Sequence, residues 1–498
     1  MIPSDILQKL RAELEKRSIY DLRQIGRAVG VKRPADMNKA PLIDSIMEIA
    51  ECKAEPAPRA TKGAPPKSDA YDRDIVGLVE RCRSLGGQSE EETSEMAEPA
   101  REEEEIGVQS DYDYSDDEKV YSGVLEFTEK FWFLRTRNYE ITSGGDVFVH
   151  SSFVTRFRLR EGDEITCKAK RRKEGECPGA TYIISVNGVR PDQLNPRAVF
   201  ERLIPCYPDH RYTLEREGCG LTERVIDLFS PVGKGQRALI VSPPKAGKTT
   251  MLKTIACSVC ENYPQAHVIV LLIDERPEEV TDLKRAVEGA EVIYSTFDRG
   301  EYHHIHAAML ALEHAKRLVE MGRDVVILLD SITRLTRAFN SVTNSGRMLS
   351  GGLDPQALAE PRKFFGAARN TEDGGSLTII ATALIDTGSK LDDIIYEEFK
   401  SAGNMEIVLS RELAERRIFP AIDIKASGAR KEELLLSAEE LNAACRFRQL
   451  LGRQVSEENL YAMINKTKNN SELCERAEEW LRICLLYTSP SPRDSTSS

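Results

Sequence analysis

The stretch Ser242-Pro-Pro-Lys-Ala-Gly-Lys-Thr249 decides the fold. It follows an apolar run, Ala238-Leu-Ile-Val241, that reads as a buried strand, and it precedes Thr250-Met-Leu-Lys-Thr-Ile-Ala-Cys257, which has helical spacing. Strand, tight loop and helix form the setting of a phosphate-binding loop. Backbone N–H groups of residues 245–249 can turn toward an anion at the helix N-terminus, where the dipole also favours negative charge. The predicted nucleotide-binding residues are therefore Lys245, Ala246, Gly247, Lys248, Thr249 and Thr250. Gly247 lets the backbone approach phosphate closely. Lys248 is expected to reach the β and γ oxygens of ATP, and the Thr249 hydroxyl to ligate Mg2+. The pattern G-x-x-x-x-G-K-[ST] begins with glycine, and this chain has Ser242 there.

Two further apolar runs end in acids. Asp324-Val-Val-Ile-Leu-Leu-Asp330 suits a central parallel strand buried on both faces. Asp330 would then stand beside the loop and hold the magnesium through water. Val268-Ile-Val-Leu-Leu-Ile-Asp274 runs into Glu275 and Arg276, and Glu275 is placed to orient or deprotonate an attacking water. A plain helix N-cap is the other reading of each acid.

At 498 residues the chain has room for two to four domains. No apolar stretch approaches a membrane span and the N-terminus lacks a signal-peptide layout, so no membrane partner is expected. Eleven cysteines without framework spacing point to reduced thiols in a cytoplasm. Cys257 and Cys260 read as core packing, and His303-His304-x-His306 as helix surface. The net charge of −12 is concentrated in residues 88–118, which hold fourteen Asp/Glu and one Arg. The remainder is close to neutral, so the acidic total does not exclude a nucleic-acid partner.

In chain order, residues 1–52 carry apolar residues at helical spacing and predict a small all-α domain. Residues 53–118 read as a linker, first rich in Pro and Ala, with a possible short helix at 75–79, and then acidic; too few apolar residues are present to offset the entropy of ordering. From Lys119 the pattern changes to short alternating runs at 121–127, 131–135, 147–150, 164–169 and 182–186. Five such strands predict a small barrel over 119–195. Phe131, Phe133 and Arg135 share one strand face, with Trp132 on the other, and Phe148 shares a face with His150. Exposed rings beside basic residues offer stacking plates for bases, and barrel core is the competing use of those rings.

The strings Phe-Trp-Phe-Leu-Arg135 and Asp146-Val-Phe-Val-His150 resemble the RNA-contacting strands of a cold-shock-type OB-fold. The order of helical domain, barrel and P-loop domain is similar to the Rho family of bacterial transcription termination factors. That resemblance is dense in Leu272-Ile-Asp-Glu-Arg-Pro-Glu-Glu-Val280, Leu328-Leu-Asp-Ser-Ile-Thr-Arg334, Arg362-Lys-Phe-Phe-Gly-Ala-Ala-Arg369 and Arg417-Ile-Phe-Pro-Ala-Ile-Asp423. It implies a multidomain chain with a RecA-like α/β ATPase over 196–484. It also implies an ATP- and Mg2+-using homohexamer that translocates 5′ to 3′ on single-stranded, pyrimidine-rich RNA, with RNA polymerase and a transcription elongation factor as partners.

Residue by residue, the resemblance implies catalytic roles for Lys248, Glu275, Asp330 and Arg430, the last as an arginine finger reaching the neighbouring subunit. It places Arg276 and Arg334 in an inter-subunit polar network and Phe419 on the adenine ring. RNA contacts are implied for Phe131, Phe133, Arg135, Asp146 and Phe148 in the barrel, and for Arg347, Met348 and Lys390 in two loops facing the ring hole. Lysine is expected at position 347, where this chain has arginine. The loop 174–181 is longer than the resemblance implies, and Glu176 is its candidate for a base contact. The tail 485–498, with its Ser-Pro repeats, resembles translated adapter sequence rather than a natural end.

Overall fold

The computed structural model describes residues 37–50, 118–128, 130–141, 145–171, 177–194, 196–346, 348, 351–451 and 455–479, with Leu14, Leu22 and Val31. The chain divides into two compact units, 1–110 and 111–498. In the first, helix α1 (Lys39–Ala50) buries Leu42, Ile43, Ile46 and Met47, the spacing of one helix face. Most of the predicted 1–52 domain, the helix at 75–79, all but the last residue of the acidic run 88–118, and the 485–498 tail lie outside the described residues.

The second unit opens with five strands: β1 (Lys119–Thr128), β2 (Phe131–Arg135), β3 (Val147–Val149), β4 (Glu164–Lys170) and β5 (Gly179–Val186). They close into a barrel in the order β1-β2-β3-β5-β4, antiparallel except where β3 meets β5. Alternation sets its interior. Leu125, Leu134, Val147, Val149, Ile165, Cys167, Ala169 and Ile183 point inward. A short helix, α2 (Ser151–Phe157), sits between β3 and β4 and packs Phe153 and Phe157 against that interior. Seven residues hold too little periodicity to reveal it in the sequence.

The larger body is a seven-stranded sheet. Its strands are β6 (Arg237–Ser242), β7 (His267–Glu275), β8 (Glu291–Thr296), β9 (Val325–Asp330), β10 (Leu377–Leu384), β11 (Met405–Val408) and β12 (Gly428–Ala429). They lie in the order β8-β7-β9-β10-β6-β11-β12, parallel except for the last pair. The central strands are apolar along their length because each face has its own cover. Val268, Val270 and Leu272 of β7 face helices α4 (Lys248–Asn262) and α5 (Pro277–Ala286), in a layer that includes α3 (Leu221–Phe229). Ile269, Leu271 and Ile273 face α6 (Glu301–Val319) and α7 (Ile332–Val342), in a layer that includes α8 (Ala359–Gly366). Cys257 and Cys260 pack half-buried against the first of these layers, and burial pushes both thiols above their usual range.

Barrel and sheet are tied by polar contacts. Arg160 forks onto Glu320 at 2.9 and 2.6 Å. His306 of α6 meets Glu126 of β1 at 2.6 Å. The reading of the histidine cluster as helix surface is corrected here. Only His303 is exposed; His304 is buried against the Ser295 hydroxyl at 2.7 Å, and His306 faces the barrel. Residues 303, 304 and 306 span most of a helical turn, so one face cannot hold all three. Among the described residues no helix is long and apolar enough to cross a membrane.

Candidate functional site

Because β6, β7, β9 and β10 run parallel, their C-terminal ends deliver loop and acids to one edge of the sheet. β6 ends in the loop 243–247. Lys245 and Gly247 take left-handed φ of 67° and 95°, which turns successive N–H groups inward ahead of α4. The loop floors a cavity of about 1000 Å³ lined by Lys245, Lys248, Thr249, Glu275, Arg276 and Arg334. An adjoining cavity of about 300 Å³ lies between Gly247, Thr250 and the half-exposed ring of Phe419. Ala246 is buried behind the loop.

Three charged groups meet at the cavity floor. Lys248 Nζ lies 2.5 Å from Asp330 Oδ1 and 3.3 Å from Glu275 Oε1. Burial lowers the lysine's pKa, but Asp330 and Glu275 outweigh it and hold the ammonium above its usual range. Glu275 goes the other way. Burial and the neighbouring Asp330 carboxylate prevail over Lys248 and Arg334, and its pKa is pushed up to about 7. Asp330 is fully buried; Oδ1 also accepts from Thr382 Oγ1 at 2.8 Å, while Oδ2 has no hydrogen-bond partner. A buried orphan carboxylate oxygen beside a threonine at a helix N-terminus fits a hydrated divalent cation. No motif points to Thr382; β10 carries two hydroxyls, Thr378 and Thr382, and only the fold brings the second to Asp330.

Arg334 lines the same cavity. It turns onto carboxylates of its own chain, 3.4 Å from Glu275 and 3.8 Å from Asp274. Arg276 is exposed at the N-cap of α5, on the cavity wall. Arg430 is elsewhere. It follows β12, is exposed, and its backbone N–H donates to Asn404 O at 2.8 Å. Asn404 Oδ1 in turn accepts from Arg237 N at 2.8 Å, at the start of β6. Six strand residues separate that end of β6 from the loop, about 17 Å. Arg430 therefore stands at the opposite end of the sheet from its own nucleotide cavity.

On the barrel, β2 and β3 pair Phe133 with Phe148. Phe131 and Phe133 each lie edge-on to Phe148 with ring centroids 6.0 Å apart. Phe131 is 53% exposed, and the other two rings are half-buried. Trp132 turns to the opposite face and packs on Phe127. Tyr182 of β5 is a further exposed ring that the sequence reading did not single out.

Arg135 and Asp146, both expected among the RNA contacts, pair with each other within the barrel. The Arg135 guanidinium is 3% exposed, is bonded to Glu126, and donates to Asp146 Oδ2 at 2.7 Å. Strand alternation put Arg135 on the ring face correctly, but two carboxylates close over it. Its cation still lies 5.4 Å from the Phe133 centroid and fixes that ring from below. Of the loop residues, Met348 is 74% exposed and Lys390 begins helix α9 (Lys390–Ala402) at the surface. Arg347 and Glu176 lie outside the described residues.

A parallel sheet with this loop, acid pair and threonine defines a RecA-like P-loop ATPase, here carrying a small barrel. Residues 222–429 match the ATP synthase alpha/beta family nucleotide-binding domain, and residues 121–192 match the Rho termination factor RNA-binding domain. The chain is 52% identical over 364 residues to the transcription termination factor Rho of Bacillus subtilis, covering 72% of this chain and 85% of that one. Identity to the Haemophilus influenzae Rho is 52% over 364 residues, 71% and 86% of the two chains. For the Borreliella burgdorferi Rho it is 52% over 355 residues, 70% and 69%. The chain belongs to the transcription termination factor Rho family, and it is an ATP-hydrolysing enzyme with an RNA-binding domain.

Proposed function

We propose that this chain is a homohexameric, RNA-dependent ATPase that moves 5′ to 3′ along nascent single-stranded RNA and releases it from RNA polymerase, with an elongation factor as a further partner. The observation that carries this reading is the separation of two halves of one catalytic set. Lys248, Glu275 and Asp330 stand together at the cavity, while Arg430 stands at the far end of the sheet. Only a neighbouring copy can bring the two halves together, as a ring would.

The chemistry is phosphoryl transfer to water. Glu275, ionised, takes a proton from the water as its oxygen bonds to the γ-phosphorus and the bond to the ADP oxygen breaks. Lys248 and the loop N–H groups neutralise charge developing on the phosphate oxygens. Phosphate competes with Asp330 and Glu275 for the Lys248 ammonium, so nucleotide binding frees Glu275 to act as base. Bound Mg2+, held by Thr249 and Asp330, would supply further charge neutralisation. Phe419 borders the smaller cavity, a slot suited to adenine.

The barrel is an OB-type, cold-shock-like module. Its rings Phe131, Phe133 and Phe148 offer stacking surfaces for pyrimidines, with Arg135 and Asp146 acting as their support. Phe131→Ala should weaken oligocytidine binding by about 1–3 kcal/mol, roughly 5- to 150-fold. Fluorescence anisotropy with labelled oligocytidine checks this, and an unchanged affinity would remove the ring from the interface. Met348, Lys390 and Arg347 are the loop residues assigned to the translocating strand.

The deciding assay is steady-state ATP hydrolysis with and without poly-C RNA. Turnover should require the RNA, and Lys248→Ala should abolish it while oligocytidine binding persists. Full-rate hydrolysis without RNA would overturn the RNA-dependent reading.

A further inference from the structure

Three side chains outside the nucleotide cavity converge where the barrel meets the sheet. His267 opens β7, Glu291 opens β8, and His314 lies in α6. β7 and β8 run parallel with Ile269 opposite Glu291, and His267 shares the face of Ile269. That face is covered by α6, which brings His314 down onto it. One ligand atom from each residue lies within 4.8 Å of the others. Among the described residues this is the one such grouping of three His, Cys, Asp or Glu side chains.

The hydrogen bonds around the trio leave an electron-rich gap. His314 Nδ1 is 2.9 Å from the Gly162 carbonyl oxygen, which can only accept, so Nδ1 carries the hydrogen. In the neutral ring Nε2 is then a bare lone pair. It faces Glu291 Oε2, another acceptor, at 3.8 Å, which is beyond hydrogen-bond length even for a protonated ring. His267 Nε2 lies 2.9 Å from the same oxygen. The Tyr139 hydroxyl donates to the other oxygen, Oε1, at 2.8 Å and so fixes how the carboxylate presents Oε2.

We propose that His267, His314 and Glu291 bind a Zn2+-class divalent transition metal. Two imidazoles and one carboxylate are an established ligand set for zinc, with a fourth position open to water. Tetrahedral zinc with bonds of about 2.0–2.1 Å sets its ligand atoms about 3.4 Å apart. The two nitrogen-to-oxygen separations here, 2.9 and 3.8 Å, bracket that value, and the two histidine nitrogens lie within 4.8 Å of each other. The outer partners are in place as well. A backbone carbonyl orients His314 and a tyrosine hydroxyl orients Glu291, the kind of support that sets the ligating tautomer. His267 and Glu291 keep 29% and 32% of their side-chain surface, which provides an entry path and room for the water.

The metal's consequence follows from where its supports come from. Tyr139 and Gly162 belong to the barrel, whereas the three ligands belong to the ATPase sheet and α6. Beside them Asn138 Nδ2 donates to Tyr294 O at 2.7 Å, and Tyr294 N donates to Asn138 Oδ1 at 2.9 Å. A bound ion would fix Glu291 of β8 and His314 of α6, the two ligands that the barrel grips through Tyr139 and Gly162. The ion would thus stiffen the ATPase side of the contact with the barrel, reaching the barrel only through its ligands' hydrogen bonds.

The test uses the tag-free full chain, stripped with chelator and dialysed, without nucleotide. Zn2+ binding is measured by equilibrium dialysis with elemental analysis, alongside thermal unfolding with and without Zn2+. His267→Gln and Glu291→Gln are run in parallel; both retain every cysteine, so thiol-bound zinc is the same in all three proteins. The parent should hold one Zn2+ per chain more than either variant, with affinity at this site falling at least about tenfold on substitution. Its unfolding midpoint should rise with Zn2+, and the variants' should not. Equal zinc content and equal thermal response in parent and variants would overturn the site, leaving a hydrogen-bonded histidine–carboxylate pair.

Discussion

Arg430→Ala should lower RNA-stimulated ATP turnover by about 10³–10⁵-fold, the range that arginine fingers contribute in other NTPases. The reason lies in the sheet. Arg430 is exposed beside the first residue of β6, and the phosphate loop follows the last, so the substitution leaves its own cavity untouched. Nucleotide affinity of isolated chains should therefore stay near that of the parent while turnover collapses. Arg430→Lys should recover little, because a point charge does not reproduce the planar guanidinium fork. Subunit mixing makes the test specific. An inactive Lys248→Ala chain still carries Arg430 and should restore turnover when mixed with Arg430→Ala chains, since each lends what the other lacks. Mixtures that stay as inactive as their components would sink the shared-site reading.

Glu275→Gln is the second large effect. It keeps shape and burial but removes the proton acceptor, and turnover should fall by about 10²–10⁴-fold. ATP binding should persist, because the Lys248 ammonium loses one of two carboxylates that compete with phosphate. The pH profile gives an independent check. The acid's pKa is raised to about 7, so the ionised, proton-accepting form is scarce at pH 6 and dominant at pH 8. In the parent, kcat/KM for ATP should rise through neutrality to a plateau, as the base of the free enzyme is uncovered. Residual activity of Glu275→Gln should not follow that rise. A parent profile flat from pH 6 to 8 would mean another group accepts the proton.

Arg135 shows how a strand pattern gives a side chain's direction but not its partners. Period-2 alternation puts it on the face of Phe131 and Phe133, as the structure does. Nothing local announces that Glu126, nine residues earlier, and Asp146, eleven later, enclose it. Removing the arginine would leave two buried carboxylates without their shared cation, a change of fold stability before it is a change of RNA contact. The histidine run 303–306 fails for the same reason. Helical spacing spreads it around α6, but only packing decides that His306 finds Glu126 of the barrel and that His304 is covered beside Ser295 of β8.

The sequence by itself determined the elements and the chemistry at their ends. Apolar runs buried on two faces specify parallel strands, a Gly-Lys-Thr at a strand–helix junction specifies an anion site, and acids closing two such runs fall at the same edge. Those signals are local, because hydrogen-bonding geometry and side-chain period act over a few residues. Tertiary structure alone decided which charges meet. The Lys248–Asp330–Glu275 cluster, the turn of Arg334 onto its own chain, the enclosure of Arg135 and the convergence of His267, Glu291 and His314 join residues from 9 to 82 positions apart. Burial there strengthens each interaction and shifts each pKa. It depends on what the whole fold packs around a group, which no short stretch of chain encodes.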